Sequence, residues 1–546
     1  MTKRRLYMLW LPVVTALSIC LGLWLGAWLT RTDPDQQALR KLQRVFGIVE
    51  QAYVDPVDFD SLVELTIPEI LHNLDPHSVY IPADRRVAAN RDLEGSFYGI
   101  GIQFQMLSDT LYIVEVINGG AAEEAGMKPG DKIVEVDGEV IAGKNKSTED
   151  IFGMLRGPEG TEVSVKVKRH NSPGLLTFDL IRGEVPVSPI DAAYVFNDTI
   201  GYLRLGKFSD NTYSEFITAV VNLQYQGATS LILDLRGNGG GYMLPAVLIA
   251  NEFLGEPDQV IVSTRGRNPG DNRTIYSDGK SMLGEMPVTV LIDEFTASSS
   301  EILAGALQDN DRALVLGRRS FGKGLVQTPF ELPDSSEFRL TVQRYFTPSG
   351  RCIQKDYQAP SGSAYEMEVV ERYDNGEIFS ADSIRIDTAD VYHTVGGRTV
   401  YGGGGIIPDV FVPSDTSGVT SYYIRVVNDG LVRDFSYEYA DLNRDRLSAF
   451  DTVDQIYASL PADPVLLQSF VHYAAAKGVA PRWYYINTSA PLLVNQIKAL
   501  IVRDVIGMNG YFEVVNTRDP VVNEAVRRLD AGDARIPIQQ QANGQK

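Results

Sequence analysis

The sequence predicts a multidomain protein: an α/β core with an inserted β-rich module and flanking helical segments, after one N-terminal membrane-spanning helix. Three observations predict this. The chain has 546 residues, more than one hydrophobic core usually organises. Short alternating strand patterns dominate from about residue 93, whereas strand and helix patterns take turns from about residue 188 to 411. An uncharged, Leu- and Trp-rich stretch opens the chain.

Composition narrows the function. With 44% hydrophobic and 22% charged residues the chain has the profile of a globular protein. Fifty Lys and Arg stand against seventy Asp and Glu, a net charge of −20, so no broad basic face is available to neutralise phosphates. Nucleic acid is therefore not an expected partner. Cys20 and Cys352 fall in an apolar run and a soluble region, so neither a disulfide nor a cysteine metal site is expected, and no cofactor motif occurs.

Taken in order, Lys3, Arg4 and Arg5 close a cytoplasmic tail (residues 1–5) ahead of an anchor over residues 6–30. The run is too long for a signal-peptide core and ends in Trp28, Leu29, Thr30 and Arg31 without a small-residue cleavage site. The basic flank places residues 31–546 outside the cytoplasm, in a single-pass inner-membrane, periplasm-facing arrangement, although Arg40, Lys41 and Arg44 weaken the bias. Leu17 to Cys20 loosely resembles a lipoprotein box, but Ile19 is too bulky for it. In the helical segment 31–92, Leu39, Leu42, Val45, Phe46 and Val49 recur at helical spacing.

The β-rich module, residues 93–183, contains IGIQFQ, LYIVEVI, TEVSVKVK and LLTFDLI. Ser147 and Asp150 form a predicted capping box for its helix. Gly99 and Gly101 flank Ile100 at the entry to a strand that runs on from Ile102, a pattern that turns successive N–H groups toward one anion. Together with GGAAEEAGMKPGDKIVEVDG this module resembles a PDZ domain, which implies that Gly99, Ile100, Gly101 and Ile102 receive a peptide carboxylate while the peptide extends the sheet. Arg156 resembles a position that senses bound peptide, and reads equally as a solvated helix-end cation.

Residues 184–414 alternate IGYLRL, SLILDL and VTVLIDE with helices. Residues 357–399 are expected as a surface insertion, with a hairpin turn at Asn375 and Gly376. Residues 415–546 read as a helical domain with a polar tail, and the terminal helical segments are candidates for a homodimer interface.

The chemistry concentrates in the core. VLIDEFTASSSEILAGALQD reads as a buried strand, a tight turn and a helix beginning in the serine run, so a serine there meets the positive end of the helix. Serine needs a base. His72, His77, His170, His393 and His472 sit in no triad motif, whereas Lys323, between Gly322 and Gly324, can serve if burial lowers its pKa from about 10.4. Lys323, Leu325 and Gln327 would share one face of a strand.

DLRGNGGG at 234–241, TASSSEILAGALQD at 296–309 and SFGKGLVQT at 320–328, in this order, resemble the C-terminal processing peptidases, or tail-specific proteases. The resemblance spans roughly residues 35–430 and implies a crotonase-like peptidase core. It also implies Ser298 as nucleophile, 25 residues before the lysine, with Lys323 as base and Gln327 orienting it. The N–H groups of Gly241 and Ser299 would form the oxyanion hole, and Asp234, Arg236 and Glu301 would be structural supports. Expected partners are protein or peptide substrates, engaged by their C-termini. Two other classes stay open: a catalytically silent PDZ-containing binding protein of this fold, and a histidine-dependent PDZ protease.

Overall fold

A computed structural model describes residues 14–19, 21, 34–107, 109–357, 362–385 and 390–534. The chain divides into two compact units, residues 1–71 and 72–546. The first holds the helices Pro34–Ala52 and Phe59–His72, joined by an edge-on contact of Phe46 with Phe59 at 6.3 Å. The expected anchor lies largely outside the described residues. Among the described residues no helix is long and apolar enough to cross a membrane.

In the second unit the β-rich module is an antiparallel meander of β1 (Ile102–Leu107), β2 (Thr110–Val116), β3 (Lys132–Val136), β4 (Glu162–Lys168) and β5 (Leu175–Ile181). Alternation explains it: Val163, Val165 and Val167 point inward while Ser164 and Lys166 pair outward with Asp179 and Glu135. Helix α1 (Thr148–Leu155) covers the sheet, and the predicted capping box forms between Ser147 and Asp150.

The α/β core is a six-stranded sheet. In it β6 (Ile190–Phe196) runs antiparallel to β7 (Ile200–Leu205), followed by parallel β8 (Ser230–Asp234), β9 (Val288–Ile292), β10 (Leu314–Gly317) and Val410–Phe411. Every residue of β8 and β9 is buried, which is why SLILD and VTVLI read as continuous apolar runs and not as alternations. Helices Thr212–Tyr225, Met243–Phe253 and α2 (Ser299–Asp309) pack on one face. A second sheet joins β11 (Leu325–Glu331) and β12 (Glu337–Phe346) to Val79–Ile81, Pro257–Gly266 and Arg273–Asp278.

Two expectations change. Asn375 and Gly376 close a helix, α3 (Gly362–Asp374), and make no hairpin: Gly376 takes φ 84°, and the N–H of Glu377 returns to the carbonyl of Arg372. The insertion is also not confined to the surface, because Tyr365, Arg372 and Glu377 are buried. Residues 415–546 divide between two jobs. Helices from Ser421 through α4 (Trp483–Asn516), which kinks at Gly507, enclose a core with Leu107, Tyr112 and Val114 of the β-rich module. The final helix, Pro520–Asp530, instead covers the other face of the α/β sheet through Val521, Val522 and Ala525.

Candidate active site

Strand β9 ends at Ile292 and the chain turns sharply into α2, with Ser298 at the junction. Ser298 has φ 56° and ψ −117°, a conformation that costs a non-glycine residue about 1–3 kcal/mol and persists only where its surroundings hold it. They do hold it. The preceding N–H, that of Ala297, donates to the carbonyl of Asn238 at 3.0 Å, and the N–H of Ser298 itself donates to Glu301 Oε2 at 2.9 Å. The neighbouring serines spend their hydroxyls on this scaffold: Ser299 Oγ donates to the carbonyl of Gly241 at 2.8 Å and Ser300 Oγ to that of Asn238 at 3.0 Å. Ser298 lines a cleft of about 300 Å³ with Lys323, Gln327, Gly241, Ser299, Met243, Ile302 and Tyr345.

The GNGGG loop is stitched to the serine turn. Asn238 donates to the carbonyl of Leu205 and accepts the N–H of Gly240, and Gly240, at φ 99°, passes so close to Ser298 that a Cβ there would meet Ser298 Cβ at 2.7 Å. Among the described residues, the N–H groups of Gly241 and Ser299 donate to no protein acceptor. Asp234 and Arg236 anchor the loop from below. Burial would raise the Asp234 carboxyl, but Arg236 and Arg204 outweigh it and hold it at about 2. Arg236 also reaches Asp519, the cap of the last helix, at 2.8 Å.

Lys323 precedes β11, which begins at Leu325, so the expected strand face starts one step late. Its Nζ still donates to Gln327 Oε1 at 2.9 Å, and a register irregularity falls between Val326 and Gln327. Burial pushes the Lys323 ammonium below the ordinary lysine range, with Glu301 and Asp75 opposing and Arg339 adding to the shift.

Glu301 does more than the sequence suggested. Fully buried, it accepts four hydrogen bonds: Oε1 from Ser320 Oγ (2.5 Å) and Gly322 N (2.7 Å), Oε2 from Ser298 N and Lys323 N (2.9 Å each). Burial raises its pKa, and the hydrogen bonds from Ser320, Lys323, Gly322 and Ser298 oppose that shift. One carboxylate thus fixes both the serine and the lysine backbone. Two further residues went unseen: the carbonyl of His77 accepts the Gln327 amide, and Tyr345 Oη donates to the carbonyl of Lys323 at 2.6 Å. The His77–Gln327 contact spans 250 residues, and no local pattern announces it.

The expected carboxylate site lies elsewhere, at the β-rich module. The carbonyls of Ile100 and Gly101 accept the N–H groups of Ala122 and Ile117, whereas among the described residues the N–H groups of Ile100 and Gly101 donate to no protein acceptor. Gly101 takes φ 81° and presses its α-carbon face on Gly120, so a Cβ would strike that backbone at 3.0 Å. Beside Ile102 a second cleft runs between β1 and α1. Phe104 and Phe152 meet across it at 4.9 Å, and the Arg156 guanidinium lies over Phe152 and Phe97 at 4.2 and 4.5 Å.

Comparison with known proteins follows the same division. The profile of Peptidase family S41 matches residues 199–361, a PDZ domain profile matches 112–169, and a family of unknown function matches 422–507. The carboxy-terminal-processing protease of Bartonella bacilliformis is 35% identical over 330 residues, covering 59% of this chain and 75% of that protein. The carboxy-terminal processing protease CtpB of Bacillus subtilis is 34% identical over 322 residues, covering 58% and 66%. A solved photosystem II D1 C-terminal processing protease shares 30% identity over 59% of this chain and 91% of its own, with a TM-score of 0.32.

Proposed function

The chain belongs to peptidase family S41 and is a serine-type peptidase with a PDZ domain, and we propose that it cuts proteins near their C-termini with a Ser298/Lys323 dyad. The observation that carries this is the convergence, in one cleft, of Ser298, the half-buried Lys323 held by Gln327, and the N–H groups of Gly241 and Ser299, which donate to no acceptor among the described residues. Lys323, neutral, takes the proton of Ser298 Oγ as the hydroxyl attacks the scissile carbonyl. The N–H groups of Gly241 and Ser299 receive the oxyanion. Lys323 then gives that proton to the leaving amine, leaving an acyl-enzyme. Water, deprotonated by Lys323, releases the new C-terminus and Ser298 recovers its proton.

The backbone N–H groups from Gly99 to Ile102 receive the substrate's terminal carboxylate, with Arg156 alongside. Residues 6–30 anchor the enzyme in the inner membrane with its catalytic region outside the cytoplasm, as Lys3, Arg4 and Arg5 ahead of an uncharged run favour. A second copy of the chain docks through the terminal helices: Leu39, Leu42, Val45 and Ile48 leave an apolar stripe of helix Pro34–Ala52 exposed.

The test is cleavage of an unstructured protein by the purified chain beside Ser298→Ala, which must be inactive. Paired free-acid and amidated peptides then probe the carboxylate. Charge-assisted hydrogen bonds are worth about 1.5–3 kcal/mol each, so amidation should slow cleavage roughly ten- to a hundredfold below saturation. Equal rates would remove the carboxylate reading and leave the dyad standing.

A further inference from the structure

We propose that helix α3 is a positioning element for the base of the dyad, acting through Tyr365 and Arg372; the proposal rests on the reading of Lys323 as that base. Lys323 is held by Gln327, and Gln327 is held in turn by the carbonyl of His77. The lysine is therefore only as fixed as the loop that carries His77. That loop has its partner on α3: His77 Nε2 and Tyr365 Oη are 2.8 Å apart, and their rings meet edge-on at 5.1 Å. The same hydroxyl accepts from Gln354 Nε2 at 3.2 Å, and Gln354 Oε1 accepts the N–H of Gly324, next to Lys323, at 2.8 Å. One phenol thus joins the support behind the Gln327 amide to the backbone that follows the base. Burial and the nearby Lys323 push the His77 imidazole down to about 4, so it stays neutral and keeps one nitrogen as an acceptor for that phenol.

Arg372 works on the other side of Lys323. It is 2% exposed, and its guanidinium donates to the carbonyls of Ser320 (2.8 Å), Phe321 (3.2 Å) and Arg319 (3.3 Å). These three carbonyls belong to the loop that delivers Ser320 Oγ and the N–H groups of Gly322 and Lys323 to Glu301. Glu368, also on α3, accepts from Arg372 and from Lys355, and Arg319 pairs with Glu377 just beyond the helix. Burying so many charges costs desolvation and is a poor way to gain stability, whereas a planar guanidinium aimed at successive carbonyls is a good way to set a backbone. The matched segment of the peptidase family profile ends at residue 361, just before α3 begins.

The test compares rate–pH profiles of the full chain with those of Tyr365→Phe and Arg372→Lys, beside Lys323→Ala. Only neutral Lys323 accepts a proton, so kcat rises with pH through the pKa of this amine. The charged and titratable groups around it are Glu301, Asp75, His77, Glu337, Arg339 and Tyr345, and both substitutions leave all of them in place. Loosening Gln327 or the loop admits water to the amine and weakens its desolvation. The midpoint should then move to higher pH, and kcat should fall roughly tenfold with KM within about twofold of the parent. A merely structural helix would lower Tm and leave kcat and the midpoint unchanged, which overturns the proposal. If Arg372→Lys does not fold, Tyr365→Phe decides alone. Full activity in Lys323→Ala would remove the dyad reading itself. An inactive Lys323→Ala beside a parental profile in Tyr365→Phe would sink the positioning role only.

Discussion

Two of the buried carboxylates, Glu301 and Asp504, are held on opposite plans. Glu301, between serine turn and lysine loop, is surrounded by three backbone N–H groups and one hydroxyl. Asp504, at the seam between the β-rich module and the C-terminal helices, is met instead by the Arg444 guanidinium and the Tyr112 hydroxyl at 2.9 Å. Lys132 with Asp441 and Asn171 with Asp445, at 2.8 Å each, extend the seam. Neutral backbone donors bring two pieces of chain to one point and cannot be reshuffled without moving the chain itself. The side-chain contacts of Asp504 join the β-rich module to the C-terminal helices without holding either backbone directly. The difference teaches that the first arrangement specifies a geometry and the second specifies a docking, so substitutions in the two places should fail differently.

The largest expected effect is at the dyad. Ser298→Ala and Lys323→Ala should each lower kcat by about 10⁴-fold or more with Tm near the parent, and Lys323→Arg should be equally inactive because a guanidinium does not deprotonate. Rates and thermal unfolding of the same preparations check this, and residual activity in Lys323→Arg would assign the base elsewhere. Glu301→Gln comes next. It keeps the shape but points an amide N–H at one pair of donors, and should cost about a hundredfold in kcat and about 3 kcal/mol of stability. If stability falls without activity, Glu301 is a core anchor and the contrast with Asp504 disappears.

Ser299→Ala should be milder. Its hydroxyl holds the carbonyl of Gly241, so its loss should cost about 1 kcal/mol of oxyanion-hole geometry, read as a five- to tenfold drop in kcat at constant KM. Tyr112→Phe, at the seam, should have the smallest catalytic effect. Unfolding should weaken by about 1–2 kcal/mol while short-peptide kcat stays parental. A large loss of kcat there would show that docking of the module sets the catalytic geometry after all.

Much of this was legible without coordinates because it is local. A buried strand, a turn of small residues and a helix start are written in VTVLIDEFTASSSEI, and alternation writes the module's strands. The capping box of Ser147 and Asp150 needs only a spacing of three. Residues 375–376 misled because Asn–Gly serves a helix end as well as a hairpin: both uses need a positive φ, and the neighbours decide between them.

By itself the sequence determined the order of the segments, the serine and lysine loops and the acidic charge balance, since each follows from periodicity, short spacing or composition. Only the tertiary structure decided that Glu301 bridges both loops, that His77 supports Gln327 from 250 residues away, and that Tyr365 reaches His77 across 288. It also decided that the last helix belongs to the α/β core. These contacts join groups that are ordinary in their own neighbourhoods. Their value comes from shared burial, where an unmet donor or acceptor is costly, and burial is a property of the packed chain.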